Sequence, residues 1–169
     1  FAFASHVKAK RAVEEGRFKE EIVPIEIELE DGTRQMHSQD EGIRLDATLG
    51  AIAGLQPLQE NGLLTAANAS QICDGASAVM IANGATCKRL GLKPLARIVA
   101  MSVIGSDPVI MLEGPIPATK KVLEKAGMTL DQIDLFEVNE AFGSVPLAWA
   151  KALGADLVKR LGDVQPFAV

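Results

Sequence analysis

The fold class of this chain of 169 residues is decided by the stretch Asp134-Leu135-Phe136-Glu137-Val138-Asn139-Glu140-Ala141-Phe142. Its first part, 134–138, is typical of a short β-strand. The apolar run 141–153 that follows predicts a helix, and Gly154 suits its C-terminal cap. A strand that passes directly into a helix is the repeating unit of α/β architecture.

The same alternation runs upstream from about residue 73. The predicted elements are a buried strand or helix-to-strand join at 76–82, a helix at 84–90, a buried strand at 96–104 and a helix at 115–126. The order strand, helix, strand, helix, strand, helix predicts an α/β layered fold for this part of the chain.

The first third of the chain has a different pattern. Apolar spacing predicts a helix at 2–15, and strict alternation predicts a half-exposed strand at 21–30. Asp31-Gly32 is a favoured two-residue turn, so Thr33–His37 is expected to pair back as a hairpin. A loop-rich stretch with one short helix, which Asp46 could cap, comes next.

Composition excludes several classes of function. Lys and Arg number 17 against 22 Asp and Glu, for a net charge of −5, which argues against binding to nucleic acid or anionic membranes. Apolar runs such as Ala76–Ala82 are far shorter than the roughly 20 residues of a membrane span. Cys73 and Cys87 cannot make a disulfide framework and lack metal-site spacing, which favours a reducing compartment.

No targeting signal is visible, so the cytoplasm is expected. The chain begins with Phe1 and not Met, and we expect it to be a piece of a longer protein.

Two segments are candidates for a site. The loop Asn61–Ser70 is made of small and polar residues without helical or strand period, and small side chains let a backbone approach a ligand closely. Asn139 stands where a strand ends, which is where ligands gather in open α/β sheets. Its amide could stabilise an oxyanion or hold a water, whereas from position alone a helix cap is the more common role.

The motifs themselves resemble those of the thiolases, enzymes that make or break a carbon–carbon bond in acyl-CoA chains. Asn139-Glu140-Ala141-Phe142 is similar to the family's asparagine motif. Thr65-Ala66-Ala67-Asn68-Ala69-Ser70, followed by Asp74-Gly75-Ala76, is similar to its CoA-binding loop, except that Ala67 replaces the usual Gly. Three further segments resemble the family in order and approximate spacing: Glu21-Ile22-Val23-Pro24, Gly91-Leu92-Lys93-Pro94 and Gly114-Pro115-Ile116-Pro117-Ala118.

The resemblance implies a partial thiolase fold, with a loop domain followed by the opening of the C-terminal α/β half. Residues 1–72 would belong to the CoA-binding loop domain, and 73–93 would be the last helix and strand of the N-terminal half. Residues 94–156 would open the C-terminal half, and 157–169 show no match to the family.

The resemblance also implies a role for each matching residue. Asn139 would be the catalytic residue, holding with a histidine the water that forms an oxyanion hole for the thioester oxygen. The substrate-binding residues would be Met111, Ala141 and Phe142 around the acyl group, Ala66, Ala69 and Ser70 along the pantetheine arm, and Arg44, Ile52 and Leu55 at the adenine.

Three of these residues have ordinary alternatives. Arg44 could be a plain surface charge, Met111 a core filler, and Ser70 the cap of a following helix. In the family the nucleophilic cysteine lies before the matched region, and a second cysteine and a Gly-His-Pro histidine lie after it. Cys73, Cys87, His6 and His37 match none of these motifs and receive no catalytic role. We expect Cys73 to be a small buried side chain and Cys87 to lie in a helix.

The implied activity is that of an acyl-CoA C-acyltransferase of fatty acid metabolism. It would cleave 3-ketoacyl-CoA by thiolysis or condense acyl-CoA, with CoA and acyl-CoA as substrates and with no permanently bound cofactor or metal. The complete protein is expected to be a homo-oligomer, dimer or tetramer, while the isolated chain should be inactive. The alternative is a truncated, non-catalytic module that binds CoA or a partner.

Overall fold

The structure is a computed structural model, and it describes residues 1–155. Residues 156–169 lie outside the described residues, and with them the segment 157–169 that we expected to show no match to the family. The elements in chain order are α1 (Ala2–Glu14), β1 (Ile25–Glu28), β2 (Arg34–His37), α2 (Leu49–Ala53), α3 (Gly84–Leu90), α4 (Pro115–Ala126), a short 3₁₀ turn (Leu130–Gln132) and α5 (Ser144–Leu153).

The predicted long helices are confirmed, with one shifted start. α4 begins with Pro115 at its first position and ends before Gly127, whose φ of 64° gives the left-handed cap that glycine favours. α5 begins at Ser144, not at Ala141, because residues 141–143 pair with another loop before the helix starts. Pro146 therefore falls in the first turn, where a missing N–H costs no helical hydrogen bond.

The hairpin is confirmed, but its turn has three residues and not two. β1 and β2 pair antiparallel from Ile25 with His37 to Glu28 with Arg34. The amide of Leu29 donates to the carbonyl of Thr33 at 2.8 Å, which leaves residues 30–32 in the loop. Gly32 takes a φ of 80°, so the loop is a turn followed by a left-handed residue.

The three predicted strands at 76–82, 96–104 and 134–138 do not form. Within residues 1–155 the hairpin is the one sheet. Apolar side chains of these segments lie open, with Ile81 76% and Val103 86% exposed. The chain's accessible surface is 13220 Å², whereas a compact chain of this mass exposes about 8,000 Å². A buried strand needs hydrogen-bonding neighbours on its edges, and the described residues supply none to these segments.

Two smaller expectations are also wrong. The N-cap of α2 is Thr48, whose hydroxyl accepts from the amide of Ala51, and Asp46 does not cap it. Cys73 is exposed and not buried, because the loop around it has nothing packed over it. Cys87 lies in α3 as predicted.

The buried residues of the helices lie near the two ends of the described chain. They are Ala2, Ala9 and Ala12 of α1 and Val145, Pro146, Trp149 and Ala150 of α5.

Trp149 ties α5 to its neighbours. Its indole N–H donates to the hydroxyl of Thr119 on α4 at 2.9 Å, and its ring centre lies 5.0 Å from that of Phe136. These contacts fix both ends of the turn 139–143, because Phe136 precedes that turn and α5 follows it.

We expect Thr119→Val to destabilise the α4–α5 contact by about 1–3 kcal/mol. The change leaves the indole N–H of Trp149, which is 2% exposed, without its acceptor. Thr119→Ser keeps the acceptor and should lose much less. The midpoints of urea unfolding for the two variants check this, and equal midpoints would show that the bond does not matter.

Candidate active site

The two motifs singled out in the sequence meet in the structure. The amide of Ser70 donates to the carbonyl of Ala141 at 3.0 Å, and the amide of Gly143 donates to the carbonyl of Asn68 at 2.8 Å. Ala69 and Phe142 form the antiparallel bridge between these two bonds. The small-residue loop and the asparagine turn (residues 139–143) are therefore one backbone-paired unit.

Asn68 organises the loop on its own side. Its side-chain carbonyl accepts from the amide of Thr65 at 2.8 Å, and its side-chain amide donates to the carbonyl of Leu63 at 3.3 Å. The hydroxyl of Thr65 in turn accepts from the amide of Ala67. Both ends of the Asn68 amide are thus used inside the loop, which fixes the shape that it presents to the asparagine turn.

A third segment, the loop 40–44, is fastened to the same unit. The side-chain amide of Gln71 donates to the carbonyl of Gly42 at 2.8 Å, directly after Ser70 in sequence. The amide of Arg44 donates to Nδ1 of His6 on α1 at 3.3 Å. The exposed Arg44 side chain lines an open groove of about 520 Å³ bounded by residues 35–46.

Asn139 is exposed and does not cap the helix after it. The N-cap position of α5 is Gly143, four residues later, so the capping alternative for Asn139 is wrong. The capping alternative for Ser70 is also wrong, since no helix occurs in residues 71–83. The backbone amide of Ser70 is used by Ala141, and the residue itself is exposed.

The remaining predicted residues occupy distinct places. Met111 is 58% exposed in a loop with a φ of 49°, so it is not a core filler, and its bonds run to Asp107, Ser106 and Gly114. Ile52 lines an apolar cavity of about 320 Å³, together with Asn68 and Gly143. The exposed positions are Leu55 and Ala66, and the half-buried ones are Ala69, Ala141 and Phe142.

Glu140 is a polar residue of this unit that the sequence reasoning did not single out. Its Oε2 accepts from the hydroxyl of Ser5 on α1 at 3.0 Å. Burial raises the pKa of the Glu140 carboxyl, and this outweighs the opposing effects of Ser5, His6, the amino group of Phe1 and Lys8. The carboxyl is therefore held in a partly desolvated position beside Asn139.

Asn68 and Gly143 were missed as well. A Cβ on Gly143 would lie 3.3 Å from Cδ1 of Phe1 and 3.6 Å from Cβ of Asn68, so this position is tight. The only sequence signal for Gly143 was that a glycine directly follows the motif Asn139–Phe142. The contacts themselves depend on segments more than 60 residues away.

Comparison with known proteins matches two family models to nearly the whole chain. The model described as "Thiolase, N-terminal domain" matches residues 1–85, and "Thiolase, C-terminal domain" matches residues 92–162. The chain belongs to the thiolase family.

Similar proteins agree with this assignment. The chain is 48% identical over 159 residues to the steroid 3-ketoacyl-CoA thiolase of Mycobacterium tuberculosis, covering 94% of the chain and 38% of that relative. It is 46% identical over 156 residues to the 3-ketoacyl-CoA thiolase of Aliivibrio fischeri, covering 91% of the chain and 40% of that relative. The chain thus spans about two fifths of the length of these thiolases.

Solved structures confirm the partial thiolase fold. Human mitochondrial 3-ketoacyl-CoA thiolase superimposes with a TM-score of 0.89 at 40% identity, over 99% of this chain and 42% of that one. The acetyl-CoA acetyltransferase of Bacillus anthracis gives 0.86 at 40% identity, over the same shares. Within residues 1–155 no helix is both long and apolar enough to cross a bilayer. No cluster of acidic, His or Cys side chains in that range could hold a metal ion.

Replacing Glu140 by Gln should change how stability depends on pH. Because the folded chain raises the pKa of this carboxyl above its ordinary value of 4.5, the native state binds the proton more tightly than the unfolded state. The stabilising contribution is complete below about pH 4.5 and is lost as pH rises through the folded pKa. Glu140→Gln keeps an acceptor for Ser5 and removes this loss.

Urea unfolding midpoints measured from pH 4 to pH 7 check this expectation. The wild type should lose stability relative to Glu140→Gln as pH rises, while Glu137→Gln, at an exposed position of the same segment, should follow the wild type. Parallel curves for all three proteins would show that Glu140 titrates as it does in the unfolded chain.

Proposed function

We propose that the complete subunit to which this chain belongs is an acyl-CoA C-acyltransferase. It would cleave 3-ketoacyl-CoA by thiolysis or run the reverse Claisen condensation of acyl-CoA. The observation that carries the proposal is the backbone pairing of Asn68–Ser70 with Ala141–Gly143, which brings a small-residue loop against the asparagine turn. The names of the relatives support the same reaction class.

Asn139 is the catalytic residue of this proposal. It is exposed, it caps no helix, and it stands next to the paired segment. Its side-chain amide can orient a water toward a thioester oxygen, and this contact strengthens as negative charge develops on that oxygen. Neither Cys73 nor Cys87 matches a nucleophile motif, so the proposal assigns the nucleophile to the rest of the subunit.

The CoA arm would lie along the loop, where Ala66, Ala69 and Ser70 leave room for the pantetheine chain. The amide of Ser70 is already bound to Ala141, so its hydroxyl is the group that would meet the ligand. Arg44, exposed at the rim of its groove, would stack on the adenine. The other contacts of the proposal are Ile52 and Leu55 beneath the adenine and Met111, Ala141 and Phe142 around the acyl group.

The proposal extends to the organisation of the whole subunit. Residues 1–72 form its CoA-binding loop domain, 73–93 the end of its N-terminal half, and 94–156 the opening of its C-terminal half. The complete protein binds CoA and acyl-CoA as substrates, holds no permanent cofactor, and assembles as a dimer or tetramer in the cytoplasm.

In the complete subunit, Asn139→Ala should lower kcat by roughly 100- to 1,000-fold and change the KM for CoA much less. One lost oxyanion donor costs about 2.7–4 kcal/mol in the transition state. The melting temperature should stay close to that of the wild type, because Asn139 caps no helix. Steady-state thiolysis of acetoacetyl-CoA measures the effect, with the exposed Glu137→Ala as the control. A variant with full kcat would remove Asn139 from the mechanism.

Ser70→Trp should abolish CoA binding while leaving the protein folded. The indole would fill the space in front of the loop, whereas the backbone amide of Ser70 could still bond to Ala141. Ser70→Ala should bind CoA nearly as the wild type does, and Lys88→Trp on the exposed face of α3 controls for an added tryptophan. Calorimetric titration with CoA decides, and unchanged affinity in Ser70→Trp would place the CoA site elsewhere.

A further inference from the structure

One side-chain contact joins the asparagine turn to the beginning of the chain. Ser5 on α1 and Glu140 are 135 residues apart, and the hydroxyl of Ser5 donates to Oε2 of Glu140 at 3.0 Å in a partly buried position. The next residue of α1, His6, accepts from the amide of Arg44. Successive residues of one helix therefore hold two different segments of the site.

The position of Glu140 within the turn gives this contact its importance. The backbone bonds that fix the turn involve Ala141 and Gly143, which lie two and four residues beyond Asn139. Glu140 is the direct neighbour of Asn139, so its contact with Ser5 holds the backbone immediately next to the exposed asparagine. α1 is itself fixed by its buried face of Ala2, Ala9 and Ala12, which makes Ser5 a rigid base for this anchor.

We propose that Ser5 and Glu140 form a positioning pair that sets the orientation of Asn139, so that the asparagine amide meets the reacting thioester oxygen. This inference rests on the proposed function for its catalytic consequence. Oε2 of Glu140 is engaged by α1, and the proposal gives this carboxyl a positioning role and no chemical one.

The electrostatics support a fixed carboxyl rather than a mobile surface charge. Burial raises the pKa of Glu140, and Ser5, His6, the amino group of Phe1 and Lys8 act on it in the opposite direction. A partly desolvated acceptor that is met by a hydroxyl donor is costly to leave unpaired. Loss of either partner should therefore loosen the turn at Asn139, so that its backbone bonds at Ala141 and Gly143 open more often.

Steady-state kinetics of the complete subunit test the pair. Glu140→Ala should lower kcat for acetoacetyl-CoA thiolysis by roughly 10- to 100-fold, as expected when a reacting group is displaced by about 1 Å. The KM for CoA should change much less. Glu140→Gln, which keeps an acceptor for Ser5, should restore most of the activity, and Glu137→Ala should match the wild type. Ser5→Ala should resemble Glu140→Ala, and the double variant should be little worse than either single one, because both remove one contact.

Each opposite result overturns the proposal. Full kcat in Glu140→Ala would show that the contact serves stability alone. Equal loss in Glu140→Gln and Glu140→Ala would make Glu140 an acid or base and not a positioning residue. Additive losses in the double variant would show that Ser5 and Glu140 act separately.

A second measurement separates failure of the pair from failure of the proposed function. If the wild type shows no thiolysis, the proposed function fails, and amide hydrogen exchange then decides on the pair. Exchange of the Ser70 and Gly143 amides, whose hydrogen bonds hold the turn, should speed up in Ser5→Ala and Glu140→Ala but not in Glu137→Ala. Unchanged exchange in the first two variants would overturn the proposal whatever the activity.

Discussion

The backbone pairing between Asn68–Ser70 and Ala141–Gly143 is the contact on which the site depends. It consists of two hydrogen bonds around one bridge, at 3.0 and 2.8 Å. It joins a loop from the region matched by the N-terminal family model to a turn from the region matched by the C-terminal one. Backbone bonds of this kind require close approach, and three residues at the contact are small: Ala69, Ala141 and the buried Gly143. Small side chains at these positions therefore allow the two backbones to pair, in addition to leaving room for a ligand.

The helices could be predicted from the sequence because their signals are local. Pro115 at the start of α4 and the left-handed Gly127 after it act within one turn of the helix that they bound. The same holds for Gly154 after α5. The start of α5 was misplaced because Ala141–Gly143 are held by another loop, and no local preference records that contact.

The hairpin was also predictable, because its two strands are neighbours in sequence. The strands predicted at 76–82, 96–104 and 134–138 did not form, because a strand outside a hairpin depends on distant partners. The residues at 76–82 and 96–104 have the composition of buried strands, but a strand exists only with a hydrogen-bonded neighbour. In the described residues the carbonyls of Met101 and Val103 accept instead from Nζ of Lys125 and Lys121 on α4. The two lysines lie one helical turn apart, and the two carbonyls two residues apart, so successive turns of α4 hold this segment. The prediction of a strand here was wrong, because the described residues supply no neighbouring strand.

A residue of the candidate site could be predicted from the sequence where it belongs to a recognisable motif. Asn139 and Ser70 stand in recognisable segments, so their placement beside a common bridge agrees with the expectation that they share a site. Asn68 lies inside the Thr65–Ser70 motif, yet its side chain bonds only within the loop, and no sequence pattern indicates those bonds. The contact between Ser5 and Glu140 could not be predicted, because a serine on a helix and a glutamate after an asparagine are ordinary in any sequence. Their meaning comes from a helix that packs its alanine face into the core and turns a hydroxyl toward a residue 135 positions away. In a site of this kind, sequence motifs reveal the residues that contact the substrate, whereas only the fold reveals the residues that position them. The positioning residues determine whether the others are held in a productive geometry.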